Sequence, residues 1–141
     1  MNDFAPQNAK KKFPKSRRLL RHADFDRVYK KGRRHFATHM TVFYLRREAD
    51  EQQADPSQLR IGFTVRKVLG GAVQRNRMKR RLREAVRLQA IRPPAGVDVV
   101  INPKASLLRA DFDELKSEIG KAFQAIQKSL SQETGQYKQA Q

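Results

Sequence analysis

The 141-residue chain has no cysteine and no tryptophan, and it is short of acids, with 14 Asp and Glu against 31 Lys and Arg. Each absence excludes something. Without cysteine there are no disulfides, no thiolate metal ligands and no cysteine nucleophile, so the fold rests on packing alone. Long hydrophobic runs are missing as well. The longest, at residues 42–45 and 99–101, are far below the ~20 residues that span a bilayer, and no signal-peptide pattern opens the chain. A cytoplasmic protein with no membrane partner is expected. No glycine-rich phosphate loop of a recognised form is present, and the acids gather in one loop and in the C-terminal part. No catalytic side chain is therefore expected.

What the chain does have is positive charge, +17 net. Such a surface attracts polyanions and repels its own copies. The charge is unevenly divided: residues 1–35 carry twelve basic and three acidic groups, 36–65 three and four, 66–92 ten and one, and 93–141 six and six. Two basic blocks flank a neutral middle, which gives a cationic face if both lie on one side of the fold. The length is right for one domain and one modest core.

Residues 1–16 mix a Lys-Lys-Lys run with isolated Phe4 and Phe13 and show no periodicity, as expected of a mobile basic arm. One domain is expected over residues 17–130, with a polar tail at 131–141. Phe25, Val28 and Tyr29 fall at helical spacing before Gly32, which predicts a short helix over 23–31. Residues 35–47 are rich in β-branched and aromatic types and predict one long or two consecutive strand segments. An acidic loop follows. Residues 59–67 alternate Leu59, Ile61, Phe63 and Val65 with Arg60, Gly62, Thr64 and Arg66, the pattern of a half-buried strand. Gly70 and Gly71 supply a turn into a helix over 72–90, closed before Pro93 and Pro94. On that helix Met78, Leu82, Ala85 and Val86 form an apolar stripe, beside a sector of Asn76, Lys79, Arg80, Arg83 and Arg87. A buried strand at 97–101 and an amphipathic helix from Asp111 to about Leu130 complete an α+β fold, with helices packed on one sheet.

The basic helix is the strongest functional signal. Its charges repel along the helix, and Glu84 alone offsets them, which implies an external polyanion. Arginine's planar fork suits phosphate oxygens. Phe25 and Tyr29 at i,i+4 have the spacing usual for a core pair; the functional alternative is a partly open groove in which sheet aromatics such as Phe43 join them and bases stack. His35 and His39 on a strand would sit about 13 Å apart, too far to share an ion. No metal site is expected in the protein.

The run IGFTVRKVLGGAVQRNRMKRRLR at residues 61–83 closely resembles the signature of the bacterial ribonuclease P protein subunit. Its centre is an Arg-Asn-Arg triplet followed by an apolar residue and Lys-Arg, here Arg75, Asn76, Arg77, Met78, Lys79 and Arg80. Similar stretches at residues 13–20, 24–32 and 98–105 extend the resemblance over roughly residues 13–125. The resemblance implies a four-stranded sheet packed by helices in the order α-β-β-β-α-β-α, with a left-handed βαβ crossover, similar to the second domain of ribosomal protein S5. It also implies an auxiliary subunit of a ribozyme that removes the 5′ leader of precursor transfer RNA. The partners would be the catalytic RNA and the precursor, with Mg2+ held mainly by RNA and no protein partner required. Residues implied to face the RNA subunit are Arg75, Asn76, Arg77, Lys79, Arg80 and Arg83, with Lys67 and Arg66; those implied for the leader groove are Phe25, Tyr29, Phe43 and Phe13. The family usually has two lysines after the third strand. Here Lys67 is followed by Val68 and preceded by Arg66, so on a strand the second charge moves to the opposite face. The alternative is a basic RNA- or DNA-binding protein without an enzyme role, such as a ribosomal protein.

Overall fold

The computed structural model describes residues 22–47 and 59–140, with side chains as far as residue 132. The basic arm with Phe13 and the acidic loop at 48–58 lie outside the described residues. Helix α1 spans His22–Lys31, with Asp24 in its first turn and Lys30 and Lys31 in its last, the charge order that suits a helix dipole. Gly32 ends it for a steric reason. A Cβ there would lie 2.4 Å from the Val28 carbonyl oxygen and 2.7 Å from that of Tyr44, so no other residue lets the chain pass this close.

Strands β1 (Arg33–Phe36) and β2 (Met40–Arg46) form an antiparallel hairpin with Phe36 opposite Thr41. The β-rich stretch expected over 35–47 thus begins earlier and resolves into two strands. Strand β3 is Arg60–Phe63 only, shorter than the alternating pattern to residue 67 suggests. Thr64 still donates to the Ile101 carbonyl at 3.0 Å, but the chain then leaves the sheet for a 3-10 turn at Lys67–Leu69. Arg66 and Lys67 therefore do not occupy opposite faces of a strand, and the expectation of a charge moved across the sheet is corrected. Both are exposed in the connection.

Helix α2 spans Ala72–Arg87, three residues shorter than expected. Gln89 closes it: its Nε2 donates to the Ala85 carbonyl at 3.0 Å and to the Lys116 carbonyl at 2.8 Å. At the other end Gly70 has a φ of 148°, open to glycine alone, and Gln74 accepts the Gly71 N–H at 3.0 Å. Strand β4 is Val97–Pro103, and α3 runs Phe112–Ala140, on past Leu130.

The sheet order is β1-β2-β4-β3, with β4 antiparallel to β2 and parallel to β3. The element order and the four-stranded α+β architecture are those the resemblance implies. One face of the sheet, with Met40, Val42, Tyr44, Ile61, Val97, Val99 and Ile101, packs against Met78, Leu82, Ala85 and Val86 of α2 and the Leu115–Leu130 stripe of α3. Full burial of each such aliphatic side chain stabilises the fold by ~1.5–3 kcal/mol over exposure. Among the described residues the other face carries α1 alone: Val28 sits on Val100, flanked by Phe25, Tyr29, Phe43 and Leu45. One helix cannot cover four strands, so the described residues leave part of this face open. Among the described residues no helix is long and apolar enough to cross a membrane.

Candidate nucleic-acid interface

The apolar stripe of α2 fixes its rotation, with Met78, Leu82, Ala85 and Val86 at most 1% exposed. Asn76, Arg77 and Arg80 consequently face outward, and Lys79 and Arg83 are half-buried beside them. Arg75 is tied down through Nε, which donates to the Gly70 carbonyl at 3.1 Å. Two of the basic residues are not part of the outward face. Arg81, absent from the expected cationic sector, donates to the Leu107 and Ala110 carbonyls at 2.6 Å each and anchors α2 to the segment before α3. Arg87, expected in that sector, instead pairs with Glu84, and this hydrogen bonding is the main reason its pKa lies above the ordinary arginine value. What remains is a strip of cations in which Arg77 and Arg80 are exposed, and an arginine fork suits phosphate oxygens.

The uncovered sheet face forms a recess lined by Arg34, Phe36, Thr41, Phe43, Arg66, Leu69, Asn102, Pro103, Lys104 and Ala105. Phe43 meets Tyr29 edge to face with ring centroids 4.9 Å apart, and the Arg34 guanidinium stands 5.7 Å from the Phe43 centroid. The Tyr29 hydroxyl donates to Asn102 Oδ1 at 3.0 Å and lies 2.8 Å from Thr64 Oγ1. Phe25, Tyr29 and Phe43 are all half-buried and pack α1 to the sheet; of the three, Phe43 is also part of the recess lining. Phe36 was not singled out from sequence, although it is 68% exposed on this face. Its signal was the period-2 relation to Arg34, usable only once the strand break before Met40 is known. Of the implied site residues, Phe25, Tyr29 and Phe43 come together on one side of the sheet with Arg66; the α2 residues form the separate strip.

A further group ties α1 to the sheet. The fully buried Asp98 of β4 accepts from Arg60 of β3 through two bonds, Nε at 2.9 Å and Nη2 at 2.8 Å, and from Arg47 at the end of β2. Arg27 of α1 reaches Asp98 at 3.4 Å and Asp24 at 2.7 Å, and Arg60 also touches Asp24. Three guanidinium groups thus share two carboxylates under α1. Burial works against the Arg60 charge, but hydrogen bonding and attraction from Asp98, with Asp24 adding to both, outweigh it and hold its pKa above the ordinary value. This cluster was missed in the sequence, where its members are spread from residue 24 to residue 98.

Comparison with known proteins places these features in a family. The family described as Ribonuclease P matches residues 13–127. The ribonuclease P protein component of Oleidesulfovibrio alaskensis is 40% identical over 118 residues, covering 82% of this chain and 90% of that protein. That of Thermobifida fusca is 32% identical over 116 residues, covering 82% and 79%. Among solved structures, the RNase P protein from Thermotoga maritima superposes with a TM-score of 0.63 at 26% identity, over 77% of this chain and 96% of that one. A Staphylococcus aureus RNase P protein mutant with defective mRNA degradation activity gives 0.66 at 25% identity, over 81% and 90%.

Proposed function

We propose, from the premise that this chain belongs to the ribonuclease P protein family, that α2 docks on the catalytic RNA while the recess beside α1 holds the single-stranded 5′ leader of precursor transfer RNA. The observation that carries this reading is the separation of the two surfaces. A strip of outward arginines on α2, with Lys79 beside them, suits a folded, phosphate-dense RNA, whereas the recess offers the rings of Phe36 and Phe43, one arginine over a ring, and Arg66, Lys104, Thr41 and Asn102 around them. Such a recess accepts unpaired bases by stacking with little sequence reading.

The protein's part is electrostatic and positional. Its cations reduce repulsion between substrate, catalytic RNA and the ions bound there. Mg2+, the ion implied for the family, does not fit this interface, because it takes oxygen ligands, the recess has no acid in its lining, and Glu84 on α2 is held by Arg87. We therefore assign Mg2+ to RNA and derive no step through it on the protein.

Reconstitution tests the reading. Added to ribonuclease P RNA and precursor at low magnesium, the protein is expected to restore cleavage that leaves a 5′-phosphate on the mature product. No restoration would leave a basic RNA-binding protein without an enzyme role. In the same assay Phe36→Ala, at an exposed ring, should weaken binding of leader-bearing precursor by ~1–3 kcal/mol for a lost stacked base, and leave leaderless transfer RNA unaffected. Equal losses with both RNAs would remove the leader from the recess.

A further inference from the structure

Next to the recess lined by Phe36, Thr41, Lys104 and Ala105, the turn between β1 and β2 meets the start of α3. His39 occupies that turn with its side chain 11% exposed. Its Nδ1 is 2.7 Å from Ser106 Oγ, and its Nε2 is 3.1 Å from Glu114 Oε2 and 3.5 Å from Glu118 Oε2. Glu118 is itself oriented, since its Oε1 accepts the His39 backbone N–H at 3.0 Å. We propose that His39, Glu114 and Glu118 form a binding site for one transition-metal dication of the Zn2+ class.

Ligand spacing is the first argument. One nitrogen and two carboxylate oxygens, one from each residue, lie within 4.8 Å of one another. Metal–ligand bonds of about 2.0–2.1 Å in a tetrahedron place neighbouring ligand atoms roughly 3.3 Å apart, and the two distances from Nε2, 3.1 and 3.5 Å, straddle that value. Charge is the second. The tautomer of His39 with its hydrogen on Nδ1, toward Ser106, would offer Nε2 to an ion beside the Glu114 and Glu118 carboxylates, and a dication would balance those two carboxylates without remainder. Lys104, whose backbone N–H donates to the His39 carbonyl, does not supply that cation: its amine donates to the Ala37 carbonyl at 2.9 Å. Ser106 stands where a metal-binding histidine commonly has its outer partner, fixing the tautomer and ring plane.

The ligand set selects the ion. Imidazole with two carboxylates suits Zn2+, Co2+ or Mn2+, while Mg2+ and Ca2+ take oxygen ligands. Three protein ligands leave one position for water. Because Glu114 and Glu118 are one turn apart on α3 and His39 follows the strand bearing Arg34 and Phe36, the ion would staple the groove hairpin to the helix across the sheet. The site stands independently of the RNA assignments above.

The test is a Co2+ titration of the full-length, chelator-treated protein, followed by visible absorption. One equivalent should give the intense bands of tetrahedral Co2+, Zn2+ should bleach them, and Zn2+ but not Mg2+ should raise the Tm. His39→Gln and Glu118→Gln should weaken binding at least tenfold, and Ser106→Ala, a positioning change, by about tenfold. A double variant of the other two histidines, His22→Gln with His35→Gln, should bind as before. Glu114→Gln gives a second readout where the side chain is half-exposed and folding is not at stake; circular dichroism checks each variant. Bands that persist in His39→Gln, bands lost in the double variant, or no saturable binding at micromolar Co2+ would overturn the site and leave a proton in its place.

Discussion

Asp98 is where three arginines from α1, β2 and β3 converge, and removing its carboxylate would leave those guanidinium groups without their shared counter-charge. Asp98→Ala is therefore expected to cost ~3–5 kcal/mol, the range for breaking a buried ion pair from one side, measured by urea unfolding. A loss below about 1 kcal/mol would mean that the arginines find other partners. The same residue shows how far sequence reading reaches. An acid inside the apolar run VDVVI is conspicuous, but its partners lie up to 71 positions away in the chain, and no periodicity connects them. His39 is similar: tested against His35 it is a poor ligand pair, and only the fold brings Glu114 and Glu118 to it. Phe13, by contrast, lies outside the described residues, and its assignment to the groove remains an expectation.

Among the elements, α2 was the most legible, because its stripe is a local signal and every residue of it is buried as expected. Its exact end was not, since closure depends on Gln89 reaching the Lys116 carbonyl of another helix. Strand β3 was overextended for the opposite reason: alternation continues in the sequence beyond the point where pairing with β4 stops at Phe63 and Ile101. The stripe also makes a prediction. Leu82→Ala is expected to destabilise the fold by ~2–5 kcal/mol and, because the arginines are aimed by the helix beneath them, to weaken RNA binding at temperatures where the domain is still folded. Chemical denaturation and RNA binding measured on the same sample check it; full affinity in a loosened helix would show that the cations need no rigid support.

For the whole molecule, cation and ring variants should differ in salt response. Affinity for catalytic RNA is expected to fall linearly in log–log form as salt rises, and Arg77→Ala should reduce the slope by about 0.7–0.9, the contribution of one phosphate contact. Phe36→Ala should lower leader affinity with the slope unchanged, since stacking releases no counterions. Filter binding across a salt series reads both. An affinity indifferent to salt would remove phosphate neutralisation as its source.

The short outer strands have a consequence for the protein before it meets any RNA. An unpaired strand edge is a template on which another chain can add, and among the described residues this sheet ends at β1 and β3, each of four residues, while β2 and β4 at the centre have seven. Edge β1 also displays Arg33 and Arg34 on exposed positions. Two approaching copies would therefore bring two cationic edges together along a short ladder, a pairing that both charge and length disfavour.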